Sequence, residues 1–154
     1  MTLEKGDAAP DFELLDHSGE PISLASFAGD HLILYFYPKA FTPGCTTQAC
    51  DFRDRHETFT AAGYRIAGVS PDSPDRLAAF REEHGLPFPL LSDEDHSVAA
   101  AYGAWGLKKN YGREYEGIIR STYAVAPDGT IEGVWHNVRA KGHADRMERE
   151  IGSR

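Results

Sequence analysis

Both cysteines of the chain, Cys45 and Cys50, fall in one stretch, Y-P-K-A-F-T-P-G-C-T-T-Q-A-C-D-F-R-D, which runs from Tyr37 to Asp54. Two prolines and a glycine precede the first sulfur and make P-K-A-F-T-P-G stiff and turn-like. The charged, helix-like run that follows places Cys45 at or within the first turn of a helix. That position matters because the thiolate, not the thiol, is the nucleophile, and an ordinary cysteine of pKa about 8.5 is only a few per cent ionised at neutral pH. Unpaired N–H groups and the positive dipole end of a helix N-terminus favour the anion. Thr42, three residues upstream, can hold a hydroxyl near the same sulfur, and it also suits a plain N-cap. Arg120, in G-I-I-R-S-T-Y-A-V, interrupts an otherwise apolar strand-like run, where a charge needs a partner. A thiolate in the core is one such partner, and an ordinary ion pair with a carboxylate is the other.

On a wheel of 100° per residue, Ala49, Phe52, His56 and Phe59 lie within about 40° of Cys45, a mainly apolar face that points inward. Cys50 sits about 140° round, among Arg53, Asp54 and Glu57, and faces outward. In an intact helix the two Cα atoms are about 8.6 Å apart, beyond the roughly 7 Å limit for a disulfide. A Cys45–Cys50 bond therefore requires the turn between them to unwind. Such a pair suits two-electron oxidation: a thiolate attacks a peroxide oxygen, becomes a sulfenic acid, and condenses with a second thiol. The resulting disulfide is open to exchange with an external dithiol. A C-x-x-C disulfide oxidoreductase is the redox rival, but its cysteines bridge without unwinding, and the four-residue gap here argues against it. A scaffold domain with two inert core thiols is the non-enzymatic rival.

The elements that must position these groups read as one domain over residues 1–154, with no internal repeat or low-complexity linker. His31 to Tyr37 is nearly all apolar, the mark of a strand buried on both faces, and Tyr64 to Val69 repeats that type. Each is followed by a helical pattern, which implies a parallel core. Asp11 to Leu15 reads as a short strand entering a turn. Ser73 and Pro74 announce a second helix that stops near Gly85, with Asp72 and Ser73 read as turn and cap residues. A shorter helix is expected over His96 to Tyr102. Ser121 to Ala126 and Thr130 to Val138 are strand-like runs joined by P-D-G, a hairpin signal, and a polar-rich helix is expected from Arg139 to Ile151. The fold class is thus α/β, a mixed sheet flanked by helices. Tyr102 and Trp105 are expected either to line a groove near the sulfur or simply to pack, and His56 to be a core or groove residue.

Lys plus Arg number 16 against 24 for Asp plus Glu, a formal net charge of -8. That balance repels phosphate backbones and sets nucleic acid and anionic membrane aside as partners. The longest apolar run is far too short to span a bilayer, and the first ten residues carry no apolar export signal, so a reducing cytoplasm is the expected compartment. The seven histidines are scattered without the spacing of a metal site, and no cofactor is implied.

P-K-A-F-T-P-G-C matches the peroxiredoxin pattern P-x-x-x-T-x-x-C, and C-T-T-Q-A-C-D-F-R-D resembles the bacterioferritin-comigratory (PrxQ) branch of that family. The likeness extends through G-V-S-P-D-S at Gly68 to Ser73, G-L-P-F-P-L-L-S-D at Gly85 to Asp93 and R-S-T-Y-A-V-A-P-D-G at Arg120 to Gly129. It implies a thioredoxin-like fold and a thiol peroxidase for hydrogen peroxide and organic hydroperoxides, recycled by thioredoxin or a similar donor. By position, Cys45 would be the peroxidatic cysteine and Cys50 the resolving one. Pro38 would shield and shape the pocket, Thr42 would bond thiolate and peroxide, and Arg120 would stabilise the charge developing on oxygen. Gln48 would pack or hydrogen-bond around Arg120. Asp51 stands where the resemblance suggests Gly, which bears on the ease of unwinding. Members of this branch are commonly monomers, sometimes dimers, and need no metal.

Overall fold

The structure, a computed structural model, describes residues 3–110 and 112–152; the outermost residues of the expected domain lie outside it. Its core strands are β3 (His31–Phe36) and β4 (Tyr64–Ser70), which pair in parallel along their whole length. Beyond β4 lie β5 (Leu90–Ser92), then β1 (Glu13–Asp16) and β2 (Pro21–Ser23). On the other side of β3 lie β8 (Ser121–Val125) and β9 (Ile131–Trp135), both antiparallel to their neighbours. The result is a seven-stranded mixed sheet in the order β2-β1-β5-β4-β3-β8-β9. The expected parallel core and terminal hairpin are both present.

Strand alternation divides the core into two layers. Ile33, Tyr35 and Tyr37 point to the face that also buries Cys45, Ala49 and Phe52, whereas Leu32, Leu34 and Phe36 point to the face that buries Tyr102 and Tyr123. Tyr102 is fully buried on that second face and donates to the Pro10 carbonyl, while Trp105 stacks on His96 at 3.7 Å. Of the two expectations for these aromatics, packing holds and lining the sulfur groove does not: they pack in the opposite layer, where their rings find an apolar surface and a histidine partner.

Helix α1 (Pro43–Asp54) does not run on through Phe59. Arg55 leaves helical geometry (φ -107°, ψ 6°), and a separate α2 (His56–Ala61) begins at once. The face Ala49, Phe52 and Phe59 is nonetheless buried as the wheel implies, with His56 only half-buried. Helix α3 (Pro74–His84) starts as expected, with Ser73 accepting from the Arg76 N–H, and ends at Gly85 in the left-handed region, where only glycine is unstrained. Helix α4 spans Ser97–Tyr102. Helix α5 (His143–Gly152) begins four residues later than the composition suggests, after Gly142 at φ +81°.

One element is absent from the expectations. Strands β6 (Trp105–Asn110) and β7 (Arg113–Ile118) form a separate two-stranded hairpin with Lys108 opposite Tyr115 and Gly106 opposite Gly117. It leads directly into Arg120, which lies at the junction between β7 and β8 rather than within a strand.

Candidate active site

The sulfur site forms at the carboxyl ends of the parallel strands, where α/β sheets usually place ligands. The loop from Pro38 to Thr42 leaves the end of β3 and delivers the start of α1. Thr42 holds the N-cap position with extended backbone (φ -85°, ψ 151°), Pro43 follows at the first helical position, and Cys45 lies in the first turn. The Cys45 residue is 1% exposed, and Cys50, one and a half turns on, is half-buried; both are free thiols. Helix α1 is continuous through both, the geometry in which they cannot bridge.

Register brings Arg120 to the sulfur. Ser121, the first residue of β8, pairs with Phe36 near the end of β3, so the residue before it arrives beside the loop after β3. The Arg120 carbonyl accepts from the Val138 N–H at 2.8 Å, fixing the backbone. Its guanidinium donates from Nη2 to Cys45 Sγ at 3.3 Å and from Nη1 to Gln48 Oε1. A planar fork that engages two acceptors at once is a task for arginine rather than lysine. Gln48 is fully buried, so it orients Arg120 as the resemblance implies. Gly44 makes the approach possible: a Cβ there would lie 3.3 Å from Arg120 Nη2.

Thr42 is close by in sequence, but its hydroxyl donates to the Lys39 carbonyl at 2.7 Å rather than to the sulfur. With its only proton so committed, the oxygen presents lone pairs as an acceptor. Pro38 is half-buried and lines, with Arg120, the cavity beside the site.

Asp72 does far more than turn the chain. Its buried carboxylate accepts from the Ala40 N–H at 2.7 Å, from Ser70 Oγ at 2.8 Å and from Arg76 Nε at 3.0 Å. Arg76 Nη2 also donates to the Ala40 carbonyl at 2.9 Å. The loop bearing Pro38 and Thr42 is thereby pinned to the start of α3. Asp72 and Ala40 are 32 residues apart, so only the P-D-S turn signal was visible in the sequence, not its partner. On the other flank, His143 Nε2 lies 2.9 Å from Thr122 Oγ1, joining α5 to β8. Burial, reinforced by the charges of Arg146 and Arg120 and opposed by Glu150, lowers the His143 pKa to about 4, so the ring is neutral at pH 7.

Known proteins are similar to this chain in sequence and fold. Residues 5–134 match the AhpC/TSA family. The chain is 50% identical over 143 residues to peroxiredoxin Bcp of Bacillus subtilis, covering 93% of this chain and 91% of that one. It is 45% identical over 143 residues to peroxiredoxin Bcp of Escherichia coli, covering 93% and 92%. The bacterioferritin comigratory protein of Xanthomonas campestris, solved in work on its alkyl peroxide reduction, superposes with a TM-score of 0.89 at 37% identity over 98% of this chain and 96% of that one. The thioredoxin-like fold expected from the motifs is the fold of these neighbours, and the chain belongs to the AhpC/TSA family as a peroxiredoxin of the Bcp/PrxQ kind.

Proposed function

We propose that this peroxiredoxin reduces hydrogen peroxide and organic hydroperoxides with Cys45 as the attacking sulfur and Cys50 as the resolving one. The observation that carries the assignment is the Arg120 guanidinium on Cys45 Sγ at the start of an intact helix, with Cys50 on the same helix. The Cys45 thiolate attacks one peroxide oxygen. The O–O bond breaks, the sulfur is oxidised to a sulfenic acid that keeps the hydrogen of the attacked oxygen, and the other oxygen leaves as alcohol or water after taking a proton from solvent. Arg120 supplies fixed positive charge where the oxygens become negative, Thr42 offers an acceptor for the peroxide O–H, and Pro38 walls the pocket. Cys50 then displaces water from the sulfenic acid to form the disulfide. A dithiol donor, thioredoxin or one like it, takes up that oxidation by exchange, returning both thiols. The single domain works as a monomer in a reducing compartment such as the cytoplasm.

The test is mass spectrometry of the reduced protein before and after one equivalent of hydrogen peroxide, on wild type and Cys50→Ser. Loss of two mass units in wild type, gain of one oxygen on Cys45 in the variant, and reversal of the disulfide by thioredoxin are expected. No change over minutes would leave a fold without the peroxidase and give the lead to a scaffold role.

A further inference from the structure

A cavity of about 610 Å³ opens beside the sulfur site and shares Pro38 and Arg120 with it. Its remaining walls include Leu107 and Lys108 from β6, and His136 and Val138 beyond β9. Although the chain has 24 acidic residues against 16 Lys and Arg, no Asp or Glu lines this cavity among the described residues. Lys109, also at its rim, is offset by Glu114 at 3.5 Å. Lys108 is different. It is half-buried and, among the described residues, has no carboxylate within ion-pair distance. Its stem passes over Gly117, where a Cβ would stand 3.2 Å from Lys108 Cδ, and its Nζ lies 5.9 Å from the Tyr115 ring centre. Glycine thus clears a path for a cation that, among the described residues, has no carboxylate partner.

From this geometry we infer that the cavity is the subsite for the non-reacting part of the substrate, and that Lys108 selects hydroperoxides bearing a negatively charged group on the part of the molecule remote from the –OOH. The inference rests on the peroxidase reading of Cys45 and deepens it. Burial of an ammonium costs free energy that an anionic ligand offsets, and burial followed by the Arg120 charge already lowers the Lys108 pKa, with Cys45 opposing. The chemistry at sulfur is unchanged. The carboxylate is a spectator, and binding energy from a part of the substrate remote from the reaction is realised as kcat/KM. Leu107 and Val138 provide apolar wall for the carbon frame.

A matched pair of probes isolates charge: cumene hydroperoxide and its para-carboxylate, compared by kcat/KM in wild type, Lys108→Met and Lys108→Arg. Wild type is expected to favour the carboxylate, with the preference falling about tenfold in Lys108→Met and returning in Lys108→Arg. The wild-type rate with the carboxylate should also drop with added salt more steeply than that with the neutral probe. Equal use of both probes by wild type, or an equal loss on both in Lys108→Met, overturns the role of Lys108 while leaving the peroxidase intact. Failure of wild type to consume either probe while it still consumes hydrogen peroxide overturns the subsite, and failure on hydrogen peroxide as well overturns the reading of Cys45 itself. Should Lys108→Met not fold, the wild-type salt comparison decides alone, and identical salt dependence for the two probes counts against the subsite.

Discussion

Arg120 and Cys45 are 75 residues apart in the chain, yet Nη2 of one donates to Sγ of the other at 3.3 Å. The contact exists because β8 enters the sheet antiparallel to β3, so the residue before β8 meets the residues after β3. Replacing Arg120 by Gln removes the fixed charge that meets the developing negative oxygens. The second-order rate with hydrogen peroxide should fall by about 10²–10³-fold, as for loss of one preorganised donor. Arg120→Lys should recover only part, because an ammonium cannot serve Cys45 and Gln48 with one planar fork. Stopped-flow fluorescence of the oxidation step measures both; an Arg120→Gln rate within threefold of wild type would remove Arg120 from the chemistry.

Gly44 separates activity from stability. An Ala there keeps the helix and should stabilise the protein by up to about 1 kcal/mol, since glycine costs that much in helices. Its Cβ, however, would come within 3.3 Å of Arg120 Nη2, a tight contact that makes the guanidinium give by a few tenths of an ångström beside the sulfur, while 3.7 Å to Ala140 Cβ is ordinary contact. The expected phenotype is an unchanged or raised denaturation midpoint with a peroxidase rate lowered by up to about tenfold, since misplacement by a full ångström can cost about a hundredfold and this shift is smaller. Parallel urea melts and rate measurements check it, and a variant as fast as wild type would show that the arginine has slack.

The loop anchor at Asp72 should be felt in both quantities. Asp72→Ala strips the Ala40 N–H, Ser70 Oγ and Arg76 Nε of their shared acceptor. An orphaned buried donor costs about 1–3 kcal/mol, and the freed Pro38–Thr42 loop no longer presents Thr42 and the helix start in register. Urea denaturation should show that loss, and hydrogen exchange should quicken at Ala40 before it changes in β3. Unaltered exchange at Ala40 would mean that the loop is held by other contacts.

These three residues mark the limit of what the sequence discloses. Cys45 was legible because its setting is local: a stiff Pro-Gly turn, then a helix start, all within ten residues. The buried strands β3 and β4 were legible because unbroken apolar runs have few other readings. Gly44 and Asp72 act through partners far along the chain, and no local pattern reports which strand end lies opposite which loop. The hairpin β6–β7 was missed for another reason. Lys108, Lys109, Glu114 and Glu116 make its strands polar, and β7 is exposed over most of its length, so its ladder carries no alternating apolar signature. The break at Arg55 was hidden because no proline or glycine marks it.

Acid should weaken the fold through His143. Its folded pKa, held at about 4 mainly by burial, lies below the ordinary 6.5, so the unfolded chain binds the proton first as pH falls. Stability from this group is therefore whole above about pH 7, is lost between about 6.5 and 4, and levels off below, a total on the order of 3 kcal/mol. Denaturant midpoints measured from pH 7 to pH 4 should decline in wild type. The slope should be shallower by up to one proton in His143→Gln, which keeps a hydrogen-bonding group near Thr122. Parallel slopes in the two proteins would assign the acid sensitivity elsewhere.

The last prediction concerns the helix between the sulfurs. Phe52 stacks on Tyr35 at 4.8 Å, Arg53 Nη1 donates to the His84 carbonyl at 2.7 Å, and Arg55 lies 3.4 Å from Glu148 and 3.6 Å from Asp145. These contacts grip the C-terminal half of α1 and the break after it. The first turn, by contrast, is held chiefly by the Cys45 and Ala49 face and the Arg120 contact. A disulfide needs Cα atoms within about 7 Å, against about 8.6 Å in the intact helix, so residues 45–50 must unwind while the far end has contacts to keep it in place. On oxidation, amide exchange should accelerate over residues 45–50 and stay slow in β3 and α3, and reduction should restore it. An oxidised protein whose residues 45–50 remain as protected as in the reduced form would mean that Cys45 and Cys50 do not pair within one chain, and intermolecular disulfides would then be sought on a non-reducing gel.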